Sequence, residues 1–178
     1  MRRRVPLVFF VIATSVLVIA GCAPFPAPNK KESPVTCASK YFFGREQPLG
    51  SLFRFSDDAL AAAKAMSPTT VANIARSAGW QDGGWDRIVD VPQEITSAEL
   101  DRRTGTTGIC WENLPHRIGS EYDNPSVGEY LFLNGDQPVQ NTPWYEPYQR
   151  PFDFDGRDFI SADTPLVANG KSGRLRPE

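Results

Sequence analysis

Apolar and polar positions change rhythm along the chain, and each rhythm predicts a different element. Behind Met1-Arg2-Arg3-Arg4, residues Val5 to Ile19 form an apolar run interrupted only by Thr14 and Ser15. Short apolar clusters at Tyr41–Phe43 and Leu52–Phe55 then predict two brief extended pieces. Ser56 reads as an N-cap for a helix over 57–66, with Asp57 and Asp58 at the positive end of its dipole. Ser67, with Pro68 in the first helical place, predicts a second helix closed by Gly79. Its apolar residues Val71, Ile74, Ala75 and Ala78 fall at i, i+3, i+4 and i+7, which makes a single buried face.

The middle and end of the chain shift toward period two. After a turn between Trp80 and Trp85, residues Ile88, Val89 and Val91 predict a strand over 86–91. Thr96 and Glu99 match a capping box for a short helix to about Arg103, stopped by Gly105, and 109–111 predicts another strand. Extended pieces follow at 130–133, 139, 144–148, 159–160 and 166–167, with a hairpin turn at Asn134-Gly135-Asp136. Helices early and strands late make the class α+β. We expect a single compact domain over 35–168, with two or three short helices in the first half and a mainly antiparallel, β-rich second half. Residues 169–178 are expected to be a flexible tail.

The leader adds an address. Its apolar run of about fifteen residues is shorter than the roughly 20 that a spanning helix needs, and it ends on small residues before a cysteine. The string Ile19-Ala20-Gly21-Cys22 resembles the lipobox of bacterial prolipoproteins. That resemblance implies diacylglycerol on the Cys22 thiol, cleavage between Gly21 and Cys22, and usually a further acyl chain on the new amino group. It makes 1–21 a signal peptide and the membrane a partner through lipid, with the body on the extracytoplasmic face of a cell membrane or envelope. An ordinary secretory signal and an uncleaved anchor are the competing readings. Val5 and Pro6 stand where a twin-arginine signal wants a polar-then-aromatic context, so Sec export fits better. The proline-rich 22–34 reads as a tether, extended at about 3.1 Å per residue and thus some 35 Å long.

Charge and cysteine count follow from that address. The chain has 19 basic and 21 acidic residues, and three of the basic ones lie in the leader. A mature chain would carry 16 against 21, a formal −5, which speaks against nucleic acid as a partner. With Cys22 acylated, Cys37 and Cys110 remain, and an oxidising compartment favours one disulfide between them. Such a bridge closes roughly 74 residues, worth about 4 kcal/mol by loop entropy.

Candidate chemistry is sparse. His116 is the single histidine, no Gly-x-Ser-x-Gly elbow accompanies it, and too few ligands remain for zinc. Asp153-Phe154-Asp155-Gly156-Arg157-Asp158 alternates carboxylates like a cation loop, but Pro151 and Ala162 occupy the end positions that an EF-hand reserves for ligands. Glu112 is the acid to test first for carboxylate catalysis. No catalytic residue, metal ligand or cofactor is nominated. The richest segment is 143–154, with five aromatics, three prolines and Arg150. Trp144, Tyr145, Tyr148, Arg150 and Phe152 are residue types that dominate binding hot spots, on a loop stiffened by proline. The turn from Trp80 to Trp85 could share that surface.

The expected function is a non-enzymatic binding or interaction module for an envelope protein, peptide or glycan, an immunity-like inhibitor being one specific form. The alternatives are an envelope hydrolase using carboxylate acid/base chemistry and a purely structural lipoprotein.

Overall fold

The computed structural model describes residues 36–117 and 126–178. The lipobox, Gly21, Cys22, and the signal and tether segments lie outside the described residues.

Chain order is β1 (Ser39–Phe42), α1 (Leu52–Ala65), α2 (Val71–Ser77), β2 (Arg87–Pro92), α3 (Ser97–Thr104), β3 (Ile109–Glu112), β4 (Val127–Asn134), β5 (Gln137–Tyr145), β6 (Phe159–Ser161), β7 (Leu166–Asn169) and β8 (Arg174–Pro177). The central sheet is antiparallel, in the order β5-β4-β2-β6. β7 and β8 form an antiparallel pair, while β1 and β3 pair in parallel. The α+β class and the mainly antiparallel second half are therefore as expected, and so is the Cys37–Cys110 bridge, whose Cα atoms lie 5.5 Å apart. Among the described residues no helix is long and apolar enough to cross a membrane.

Both faces of the central sheet are covered. Ile88, Tyr130, Phe132 and Trp144 point into one core with Phe55, Ala59, Ile74 and Trp80 from the helical side. Val89, Val91, Leu131 and Leu133 point into a second core with Leu100, Ile109, Trp111 and Phe43. This explains why Ile88-Val89 and Tyr130–Leu133 read as continuous apolar runs rather than alternations: a strand covered on both faces has no solvent side.

Several boundaries move for local reasons. Leu52–Phe55 is not extended but opens α1, capped by Ser51, whose side chain accepts from the Arg54 N–H at 3.4 Å. Leu52, Phe55, Ala59 and Ala63 are the buried positions of that helix, so its apolar stripe runs straight through Ser56. α2 is capped by Thr70 rather than Ser67, because Thr69 is held extended in a two-way backbone bridge to Leu166. Thr96 caps α3 as expected, accepting from the Glu99 N–H at 3.2 Å, and Gly105 ends it at φ 71°. The Glu99 carboxylate, however, turns to Arg102 and Arg103. The hairpin loop is Gly135-Asp136, with Asn134 already paired to Gln137.

The expected C-terminal tail is a correction. Residues 174–177 form β8, in which Leu175 is fully buried. β8 lies between β7 and the 151–153 segment, with Leu175 N–H donating to the Pro151 carbonyl and Asp153 N–H to that of Leu175. The folded body thus reaches Glu178, and the two backbone ladders outweigh the polar composition of the segment.

Removing the disulfide by Cys110→Ser is expected to cost about 3–4 kcal/mol in urea unfolding, since 73 residues separate the bridged positions. Intact-mass analysis should show neither Cys37 nor Cys110 alkylated until a reductant is added; labelling without it would contradict the bridge.

Candidate functional site

The aromatic segment divides by strand period. Across the β4–β5 ladder, Gly128 faces Trp144, Glu129 faces Pro143 and Val127 faces Tyr145. Successive side chains alternate faces, so Trp144 enters the helix-side core while Pro143 and Tyr145 turn to the other face. Trp144 is 2% exposed. A Cβ on Gly128 would land on the Trp144 ring and 2.7 Å from the Val91 carbonyl oxygen, so only glycine allows the indole to lie there.

A polar cluster fixes that indole. Trp144 Nε1–H donates to Asp90 Oδ1 at 3.0 Å, and Arg150 Nη2 donates to Asp90 Oδ2 at 2.8 Å. The Arg150 guanidinium also stacks 4.3 Å from the Trp144 ring centre and donates to Glu146 at 2.6 Å. Arg174 from β8 reaches the same Glu146 oxygen at 3.3 Å. Phe152 is fully buried, its N–H donating to the Tyr130 hydroxyl at 3.3 Å. Trp144 and Phe152 are thus corrected from ligand-facing residues to core, and Arg150 is committed to Asp90 and Glu146. Tyr145 at 41% and Tyr148 at 86% stay exposed, on either side of the cis Glu146–Pro147 peptide.

Other candidates are dispersed. Trp80 and Trp85 are buried in the helix-side core, Trp80 Nε1–H donating to the Ser51 carbonyl, so that turn does not share the Tyr145 surface. Glu112 forms a solvent-exposed pair with Lys40 at 2.7 Å. Asp158 is paired with Arg102 at 2.9 Å, and Asp153 accepts from the Asp155 N–H within its own turn. No group of three potential metal ligands occurs among the described residues.

Tyr145 instead borders a cleft of about 420 Å³ that closes the second core at one end. Its walls are Phe43, Leu114, Pro115, Val127 and Pro143, with His116 and Arg117 exposed at the rim. Glu129 lines it and is the one carboxylate among its described lining residues. The acid is held from behind. Asn141 Nδ2–H donates to Glu129 Oε2 at 3.1 Å and to the Gly44 carbonyl at 2.9 Å, while Asn141 Oδ1 accepts from the Tyr41 hydroxyl at 3.0 Å. Burial pushes the Glu129 carboxyl up to about 7, against the pull of the Asn141 hydrogen bond and of the Arg45 charge. Burial likewise raises Tyr41, helped by Glu129 and Glu46, so its hydroxyl stays a donor.

Sequence reasoning placed Tyr145 but missed Glu129, Asn141 and Tyr41. A signal existed: Glu129 shares its sheet face with Leu131 and Leu133, so period two carries an acid into the end of a core stripe. No family model matches the chain, and no curated protein or solved structure is significantly similar to it.

The raised Glu129 value gives stability a sign. An unfolded glutamate titrates near about 4.3, so between that value and about 7 the folded state holds the proton more tightly and stability falls as pH rises. Discounted for partial exposure, the effect is about 1–3 kcal/mol. Urea unfolding at pH 5 and pH 8 should show wild type losing that much more than Glu129→Gln. Parallel losses in the two proteins would contradict the buried acid.

Proposed function

We propose that this chain is a lipid-anchored, extracytoplasmic bacterial lipoprotein whose folded body is a binding module for an envelope protein, peptide or glycan. The observation that carries the binding reading is Tyr145. The same β5 geometry that buries Trp144 delivers this ring to the lining of an apolar cleft with a withdrawn carboxylate, and Tyr148, three residues on, is exposed. An exposed aromatic ring and a held polar group lining one apolar concavity fit the pattern of binding sites.

The address rests on the lipobox resemblance and is supported by cysteine usage. Of three cysteines, two are bridged, which suits an oxidising compartment and leaves Cys22 for the lipid. Two or three acyl chains give a durable anchor where one does not. The hydrolase alternative draws on the same Glu129, since a carboxyl near 7 could serve as a general acid. Paired-carboxylate chemistry needs a second acid across the cleft, and Glu129 is the one carboxylate among the described lining residues.

Two measurements test this reading. Intact mass of the membrane-extracted protein should show the leader lost and acyl chains on Cys22, and Cys22→Ser should abolish both; lipid on the variant would refute the anchor. A benzophenone amino acid at position 145 or 148, irradiated in intact envelopes, should give discrete adducts. Position 159, exposed on the opposite edge strand β6, should not. The same adduct pattern from all three positions, or none from 145, would remove the cleft as the binding site.

A further inference from the structure

Glu129 is fixed as if awaiting a donor. Oε2 accepts from Asn141, whose remaining N–H and carbonyl are taken by Gly44 and Tyr41, so neither the amide nor the carboxylate is free to turn. Oε1 accepts no hydrogen bond among the described residues, yet it is not among the polar atoms sealed from solvent. That oxygen therefore keeps some access to solvent, and Glu129 is among the residues that line the cleft. Arg45 acts on the acid only through space and is itself exposed, with no ion pair to Glu129 among the described residues.

We infer that the cleft receives a primary ammonium on an apolar arm, the chemistry of a lysine side chain of a protein partner, with Glu129 Oε1 as its counter-ion. This rests on reading the cleft as the binding site. Phe43, Leu114, Val127 and Pro143 offer apolar wall to the methylenes, and Tyr145 adds to the same lining an aromatic ring, a group that attracts cations. An ammonium supplies the donor Oε1 lacks and the charge that a half-buried carboxylate needs. His116 and Arg117 oppose it from the rim, but both are exposed, where water and salt screen them; Glu129 lies in the less polar interior of the cleft.

The test uses the full-length protein in detergent micelles and three probes: the Nα-acetyl, N-methylamide forms of lysine, norleucine and glutamate. Binding is read from amide shifts of Val127, Glu129 and Tyr145. At pH 8 the lysine probe should bind about tenfold more tightly than norleucine. That preference should fade at pH 5, as protonation of Glu129 removes the counter-charge. Histidine titrates in the same range, so His116→Gln should keep the preference and Glu129→Gln should lose it. Were Glu129→Gln to misfold, the wild-type pH dependence would still decide. Norleucine or glutamate binding as well as lysine at pH 8, or a lysine preference surviving Glu129→Gln, overturns the ammonium while leaving the cleft a binding site. If no probe shifts those amides, the cleft reading falls as well.

Discussion

The indole of Trp144, laid on Gly128 and tied through its N–H to Asp90, is the constraint on which the second half of the fold depends. It joins β5, β4 and β2, the three adjacent strands of the central sheet, at one point. Arg150 closes the same point from beyond the turn at 146–149, and through Glu146 it also ties in Arg174 of β8. A buried carboxylate, a stacked cation and an indole N–H are paired there, with Arg150 Nε left without an acceptor among the described residues; removing the cation breaks the Asp90 ion pair, at a cost of about 3–5 kcal/mol for a buried pair. The path of residues 145–154, and so the place of Tyr145 and Tyr148, follows from this knot.

Covering the sheet on both faces has a second consequence. The helical layer of α1 and α2 is extensive, while the opposite layer consists of α3 and the short β1–β3 pair, stapled by the disulfide. Four-residue strands cannot cover the whole face of an eight- or nine-residue partner. Where that layer ends, Val127, Glu129, Pro143 and Tyr145 of β4 and β5 line the cleft together with residues 113–117, which follow β3.

What could be read from sequence was local. The α3 cap at Thr96, the stop at Gly105, the buried face of α2 and the pairing of two cysteines each depend on residues whose chemistry has one good use in place. Ser56 misled because a serine inside a helix looks like a cap until the stripe of Leu52, Phe55, Ala59 and Ala63 is followed across it. Residues 169–178 looked like a tail because β8 owes its order to backbone partners at Pro151 and in β7, far away in the chain. Trp144 and Phe152 had the composition of a binding loop, but aromatic rings serve cores and surfaces equally. Only the register, with Gly128 opposite Trp144, tells which face each one takes.

Two acids on neighbouring strands show what separates structure from function here. Asp90 and Glu129 are both withdrawn from water, and burial raises the carboxyl of each. Asp90 has both oxygens engaged, one by Trp144 and one by Arg150, and lies under the aromatic core. Glu129 has one oxygen engaged by a neutral amide and the other without a partner among the described residues, at the lining of a cleft. If the fold needed only hydrophobic closure at position 129, a leucine like those at 131 and 133 would continue the stripe at no electrostatic cost. The sequence instead places a carboxylate there and commits Asn141 and Tyr41 to hold it still. That carboxylate costs the folded protein stability as pH rises toward about 7, and the ammonium we propose would offset this cost by pairing with it.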